Sequence, residues 1–83
     1  MVELPQRIGL VGLAFDDAKA VCGGIEEVLC AFPDLVVARM TVPQCGQGRS
    51  LLTLVVSATT DQIGALAGRL GMIEDVRVKS VVL

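Results

Sequence analysis

The hydrophobic pattern is clearest in the last third of the chain, where a helical period gives way to a strand period. Apolar side chains recur at helical spacing along one stripe, namely Ile63, Leu66, Ala67 and Leu70. Thr59 and Gln62 have the spacing of a capping box at the start of this helix, and Gly71 is placed to end it in the left-handed conformation. Residues 76–82 alternate with period two, which predicts a strand with one buried face.

Similar patterns precede this unit. Residues 7–15, RIGLVGLAF, and residues 50–58 are apolar on both alternating faces, as is typical of central strands. Asp16 is expected to cap a helix whose apolar stripe includes Cys22 and ends before Pro33. A second strand is expected over residues 34–42, and residues 43–48 carry the turn chemistry of a hairpin loop.

The predicted element order is therefore strand, helix, strand, strand, helix, strand. Right-handed crossovers in both halves place the two helices on one face of a four-stranded antiparallel sheet. The expected fold class is α+β, the ferredoxin-like βαββαβ sandwich. Because 83 residues leave no room for a second core, we expect a single domain over residues 1–83.

The sheet face away from the helices is the surface that the sequence makes most informative. Hydrophobic residues make up 53% of the chain, and so small a domain cannot hide them all internally. We expect an apolar centre with a charged rim, which is the anatomy of a subunit interface, and hence a homodimer or homotetramer. If the even-numbered residues of the second strand point to the core, the predicted interface comprises Val11, Leu13, Val37, Arg39, Thr53, Val55 and Arg77.

Composition and charge exclude several classes of protein. A net charge of −2 and the lack of a basic arm argue against direct nucleic-acid binding. No apolar run approaches the roughly 20 residues that span a bilayer, and the first residues lack a signal-peptide layout, so we expect no membrane association and a cytoplasmic location.

Histidine is absent, which removes the commonest general base and metal ligand. We expect no catalytic residues and no cofactor.

The three cysteines have no paired spacing, which suits a reducing compartment. Cys22 is expected to be a small buried apolar residue on its helix stripe, and Cys30 lies two turns later and off that stripe. Cys45, in the polar hairpin, is the only metal-ligand candidate among them, and an uninvolved thiol is the simpler interpretation.

Three segments together resemble a known family: RIGLVGLAFDD, VVARMTVP and DQIGALAGRLGMIEDVRVKSV. They are similar to the iron-only ([FeFe]) hydrogenase system regulators, whose fold is similar to ACT domains and to the C-terminal domain of nickel-responsive repressors. The resemblance covers nearly the whole chain, and residues 64–72 are its most specific part. It implies an oligomeric, ferredoxin-like regulatory module found with hydrogenase maturation genes. The nickel site of the repressors uses histidines, so it is not carried over to this chain.

The loop after the first strand is where such regulatory domains bind small molecules. The candidate ligand-binding residues here are Gly12, Leu13, Ala14, Asp16 and Asp17. Asp16 is also adequately explained as a helix cap, and the loop lacks the Gly or Pro that ACT domains usually place after its acidic residue.

The sequence thus favours a non-catalytic oligomeric module that binds a small effector, with a hydrogenase-system protein as a candidate partner. The first alternative is a metal or cluster accessory protein that uses Cys45. The second is a small acylphosphatase-like enzyme. The latter chemistry needs an anion-binding arginine in the loop after the first strand, whereas residues 12–17 supply only two carboxylates.

Overall fold

The computed structural model describes residues 6–43 and 49–83, and the predicted order of elements is confirmed. The elements are β1 (Arg7–Phe15), α1 (Ala18–Cys30), β2 (Val36–Val42), β3 (Ser50–Ala58), α2 (Thr60–Gly71) and β4 (Val76–Val82). The strands form one antiparallel sheet in the order β2-β3-β1-β4, so the two strands that are apolar on both faces are central. The predicted hairpin loop, with Cys45, falls on residues 44–48, outside the described residues.

Both helices pack on the same face of this sheet. Three buried residues from each helix meet the inward side chains of the central strands in one cluster. Its largest fully buried members are Val11, Leu13, Leu54, Val56, Ile63, Leu66 and Leu70, each with less than 2% of its surface exposed. Each such side chain contributes about 1.5–3 kcal/mol relative to an exposed one, so this layer supplies most of the driving force for folding.

The helix ends are set by side-chain caps. Thr59 and Gln62 form the predicted capping box on α2: the Gln62 N–H donates to the Thr59 hydroxyl at 3.2 Å, and the Thr59 N–H donates to the Gln62 side chain at 2.9 Å. The cap of α1 is Asp17 rather than Asp16, because the Asp17 carboxylate accepts from Lys19 N at 3.1 Å and Ala20 N at 3.2 Å. The expectation for Asp16 is therefore wrong by one residue.

Helix α1 ends at Cys30, before Pro33 as expected, but the end of α2 differs from expectation. Gly71 is the last residue of α2, and Met72 caps that helix in the right-handed conformation with φ −79°. The left-handed positions are Asp34 and Asp75, both with φ 68°, in the turns that lead into β2 and β4. Aspartate tolerates this conformation better than most residues, so the turn is made at the start of the strand and the glycine is not needed for it.

One glycine in β1 is required by close packing. A Cβ atom at Gly9 would lie 3.0 Å from Ile63 Cδ1, 3.2 Å from the Val81 carbonyl oxygen and 3.3 Å from Val56 Cγ2. The start of α2 therefore rests directly on the β1 backbone. No helix in the described parts of the chain is both long and apolar enough to cross a membrane.

Candidate functional site

The sheet face opposite the helices, called the outer face below, is open and largely apolar. Strand register aligns its side chains in rows across all four strands. The central row is Ala38, Val55, Leu10 and Val81, the next is Met40, Thr53, Gly12 and Lys79, and the third is Val42, Leu51, Ala14 and Arg77. Met40 is 60% exposed and Val81 54% exposed, so large apolar groups face solvent at both edges of the sheet. Thr53, Val55 and Arg77 lie on this face, as expected.

The two β1 residues predicted for this interface point the other way. Val11 and Leu13 are 0% and 1% exposed and lie in the core beneath the helices. The expected orientation is wrong because β1 is apolar on both alternating sets, so period two alone does not identify the buried face. The helices cover the set with the larger side chains, and the outer set of this strand includes the small residues Gly12 and Ala14.

On β2 the predicted alternation fails at a β-bulge. Val36 pairs with Val56 on the helix side, but Ala38 pairs with Val55 on the outer face, which leaves Val37 as the extra residue. After the bulge the alternation is inverted, as expected when one unpaired residue is inserted into a strand. Arg39 consequently lies on the helix side of the sheet, where Nη2 donates to Glu26 Oε1 of α1 at 2.6 Å. Arg39 is thus not part of the outer face, and Val37 is a bulge residue that is 65% exposed.

The Glu26–Arg39 pair is the ion pair with the shorter contact among the described residues. The hydrogen bond from Arg39, with a smaller contribution from its charge, lowers the pKa of Glu26, and the same bond raises the pKa of Arg39. Both side chains are nearly half exposed, at 45% for Arg39 and 47% for Glu26. Water screens such a pair, so it positions α1 over the edge of β2 more than it stabilises the fold.

The loop between β1 and α1 forms a small charged pocket. Asp16 lies 3.5 Å from Arg49, measured from Oδ1 to Nε, and Asp75 and Arg77 complete the lining with Ala14 and Phe15. The volume is about 50 Å³, which is room for water or a small ion but not for an organic effector. Asp17 is turned to its helix, and the Leu13 side chain is in the core, so neither side chain is among the residues that line this pocket.

A larger groove lies directly beside it on the outer face. About 400 Å³ of space is lined by Gly12, Ala14, Leu51, Thr53, Arg77 and Lys79, together with Leu13 and Val78. Ala14 and Arg77 belong to both the groove and the charged pocket. This volume is in the range of small-molecule sites, and the two cations on β4 favour an anionic group in it. Of the candidate residues, Gly12 and Ala14 thus line the groove on the outer face, Leu13 borders it with its side chain in the core, and Asp16 lines the adjoining charged pocket.

Sequence reasoning missed Arg49 as a member of this site. It directly precedes β3, and the pairing of Ser50 with Phe15 places it beside Asp16. Only the antiparallel register between β1 and β3 makes these two residues neighbours, so no local pattern indicates the contact.

The cysteines do not form a metal site in the part of the chain that the structure describes. Cys22 and Cys30 are free and exposed, and no group of three metal-binding side chains occurs among residues 6–43 and 49–83. The expectation that Cys22 is buried is wrong, because the core stripe of α1 runs through Val21 and Ile25 and leaves Cys22 facing β2. The role considered for Cys45 falls outside the described residues and stays a prediction.

Comparison with solved structures supports the architecture. The uncharacterized protein TM1266 from Thermotoga maritima superposes with a TM-score of 0.84 at 31% sequence identity, over 94% of this chain and 98% of that one. The ACT domain of a GTP pyrophosphokinase from Chlorobium tepidum superposes with a TM-score of 0.75 at 15% identity, over 92% of this chain and 99% of that domain. The latter likeness establishes the ACT-like fold and nothing more. No curated protein sequence matches the chain.

The family is shown by the sequence itself. The profile of a family described as "Iron-only hydrogenase system regulator, putative" matches residues 7–80, which is nearly the whole chain and includes every helix and strand except the end of β4. The expected resemblance is confirmed: the chain belongs to the TM1266-like family of iron-only hydrogenase system regulators.

Proposed function

We propose that residues 1–83 act as one non-catalytic regulatory domain that assembles with copies of itself and binds a small anionic effector on its outer face. The observation that carries the proposal is the central apolar row of the outer face, which crosses all four strands and adjoins a groove with Arg77 and Lys79 at its side. A second copy that covers this row would bury apolar surface that is now open to water.

The same contact would complete the effector site. The groove is open on the side away from the sheet, and a partner on that side would enclose a bound anion next to Arg77 and Lys79. Occupancy of the groove would then change how tightly the subunits pack, which is the physical requirement for coupling between a ligand and a quaternary state. Family membership supports a role linked to the expression or maturation of iron-only hydrogenase, with a protein of that system as the partner that reads the state. We place this role in the cytoplasm, because unpaired cysteines suit a reducing compartment.

The first test is the oligomeric state of protein purified without oxygen, measured by native mass spectrometry and by size exclusion with light scattering. We expect a dimer or tetramer, and we expect Val55→Lys to dissociate it because this substitution places a charge in the central apolar row. Ala65→Lys adds the same charge on the exposed surface of α2 and serves as the matched control. Circular dichroism of both variants checks that the fold is retained.

Three outcomes would contradict parts of the proposal. A monomeric wild-type protein at micromolar concentration would remove the outer face as a subunit interface. An oligomer that survives Val55→Lys and dissociates with Ala65→Lys would move the interface to the helices. The value of any retained mass in the native spectrum would indicate the class of effector, and its loss in Arg77→Gln would assign it to the groove. Retention of that mass in the variant would exclude the groove as its site.

A further inference from the structure

A second concave region lies on the helix side of the sheet, between α1 and the edge strand β2. It has a volume of about 140 Å³ and is separate from the outer-face groove. Its floor is apolar and is formed by Phe15, Ile25 and Leu52, and the row Ala18, Cys22 and Glu26 of α1 faces Thr41 and Arg39 of β2 across it. We call this region the α1–β2 cleft.

The cleft also touches Pro43 and Ser50, and the sequence explains why the described residues leave it open. Ala18, Cys22 and Glu26 are spaced four residues apart and therefore form one row along α1. The first two have short side chains that do not span the distance to β2, whereas Glu26 reaches Arg39 and closes one end. The core residues Val21 and Ile25 point from the same helix toward the centre of the sheet. A gap thus remains between α1 and β2, and a leucine side chain in place of Ala18 or Cys22 would fill it.

The size and charge of the cleft specify the kind of molecule it takes. An engineered apolar cavity of about 150 Å³ stays dry and binds benzene or xenon, so the volume of the α1–β2 cleft suits a body of about six non-hydrogen atoms. The charges at its mouth neutralise each other, because Arg39 donates to Glu26 through both terminal nitrogens, at 2.6 and 3.5 Å. A carboxylate would meet Glu26 and an amine would meet Arg39, and each would have to break this pair to be bound.

We propose that the α1–β2 cleft binds a small uncharged apolar molecule, held by Phe15, Ile25 and Leu52 and enclosed at one end by the Glu26–Arg39 pair. This site is independent of the outer face, so the Val55→Lys variant is expected to keep it. The two proposals can therefore fail separately.

Benzene is the probe for the test, with benzoate and benzylamine as charged analogues of similar size. We expect benzene to shift the methyl resonances of Ile25 and Leu52 in a saturable way, and the charged analogues to produce smaller shifts at equal concentration.

Alkylation by N-ethylmaleimide supplies a second readout, because Cys22 lines the cleft and Cys30, equally free and exposed on the same helix, does not. Peptide mapping distinguishes the alkylation rate of Cys22 from that of Cys30. Benzene at about ten times its Kd should slow the alkylation of Cys22 roughly tenfold and leave the alkylation of Cys30 unchanged.

The variant Cys22→Leu fills the cleft and improves the helix propensity of its position, so it should fold and lose the benzene response. Cys30→Leu makes the same substitution two turns away and should keep the response. Absence of saturable shifts in the wild type, equal protection of both cysteines, or full binding by Cys22→Leu would each overturn the proposal. Stronger shifts with benzoate than with benzene would also overturn it, because they would assign the site to anions through Arg39.

Discussion

At the scale of single residues, glycine is required for close packing at one position of this fold and lowers its stability at another. Gly9 is enclosed by Ile63, Val56 and the backbone of β4, so a side chain there has no room. Gly68 lies on the exposed side of α2, and a Cβ atom there would have nothing within 4 Å. In a helix, an unenclosed glycine costs stability because its backbone loses more freedom on folding than alanine does.

We therefore expect Gly68→Ala to raise the free energy of unfolding by about 0.5–1 kcal/mol and Gly9→Ala to lower it. Denaturant unfolding followed by circular dichroism measures both changes. A loss of stability in Gly68→Ala, together with dissociation of an oligomer, would show instead that this side of α2 contacts a partner.

The Glu26–Arg39 pair is expected to make the free energy of unfolding depend on pH. Arg39 holds the pKa of Glu26 below its ordinary value of 4.5, so the pair stabilises the folded state above that pH and loses its effect as the pH falls through the lowered pKa. The variant Glu26→Gln should be less stable than the wild type by at most about 0.5 kcal/mol at neutral pH and low salt, because the pair is exposed. This difference should vanish in acid, as measured by urea unfolding at a series of pH values. Glu27→Gln removes the neighbouring carboxylate, which forms no ion pair among the described residues, and serves as the matched control. A difference that grows in acid would contradict this account.

At the scale of elements, the helix starts are specified locally and the strand faces are not. Thr59 and Gln62 satisfy each other within one turn of chain, so the capping box is readable from four consecutive residues. Which side chains of β2 face the helices depends on a bulge at Val37, and this bulge is recognised only when β2 is aligned with β3. The face of β1 that is buried depends in turn on where the helices settle.

The capping box can be tested at this scale. Thr59→Ala removes the hydroxyl that accepts from Gln62 N, and we expect a loss of about 1 kcal/mol in stability. Thr60→Ala changes the adjacent exposed residue, the first of α2, and should be nearly neutral. Thermal unfolding of the two variants measures both losses of stability. An equal loss in Thr59→Ala and Thr60→Ala would mean that the cap makes no specific contribution.

At the scale of the whole molecule, the sheet has one covered face and one open face. The helices supply six buried residues to the covered face, whereas the described residues place nothing over the rows that pass through Val55 and Thr53. If a second copy covers the open face, folding and association are linked, and the melting temperature must rise with protein concentration.

We expect this dependence in the wild type and in Ala65→Lys, and its loss in Val55→Lys. Differential scanning calorimetry over a hundredfold range of concentration, on the order of micromolar to sub-millimolar, measures it. A melting temperature that is independent of concentration in the wild type would contradict assembly through the outer face.

The sequence by itself determined the order of the six elements, the bounds of β1 and β3, the capping of α2, the ferredoxin-like architecture and the family. These features depend on periodicity and on contacts within a few residues, which a single chain displays directly. Only the tertiary structure decided that Val11 and Leu13 are buried, that Arg39 lies under α1, and that Arg49 meets Asp16. The burial of Val11 and Leu13 depends on which face of the sheet the helices cover. The placement of Arg39 depends on the β2 bulge and that of Arg49 on strand register, and a shift of one residue reverses every side chain beyond it. The open outer face follows from the packing of both helices on one side of the sheet. The α1–β2 cleft follows from short α1 side chains that the fold places opposite β2, so no local stretch of sequence specifies either feature alone.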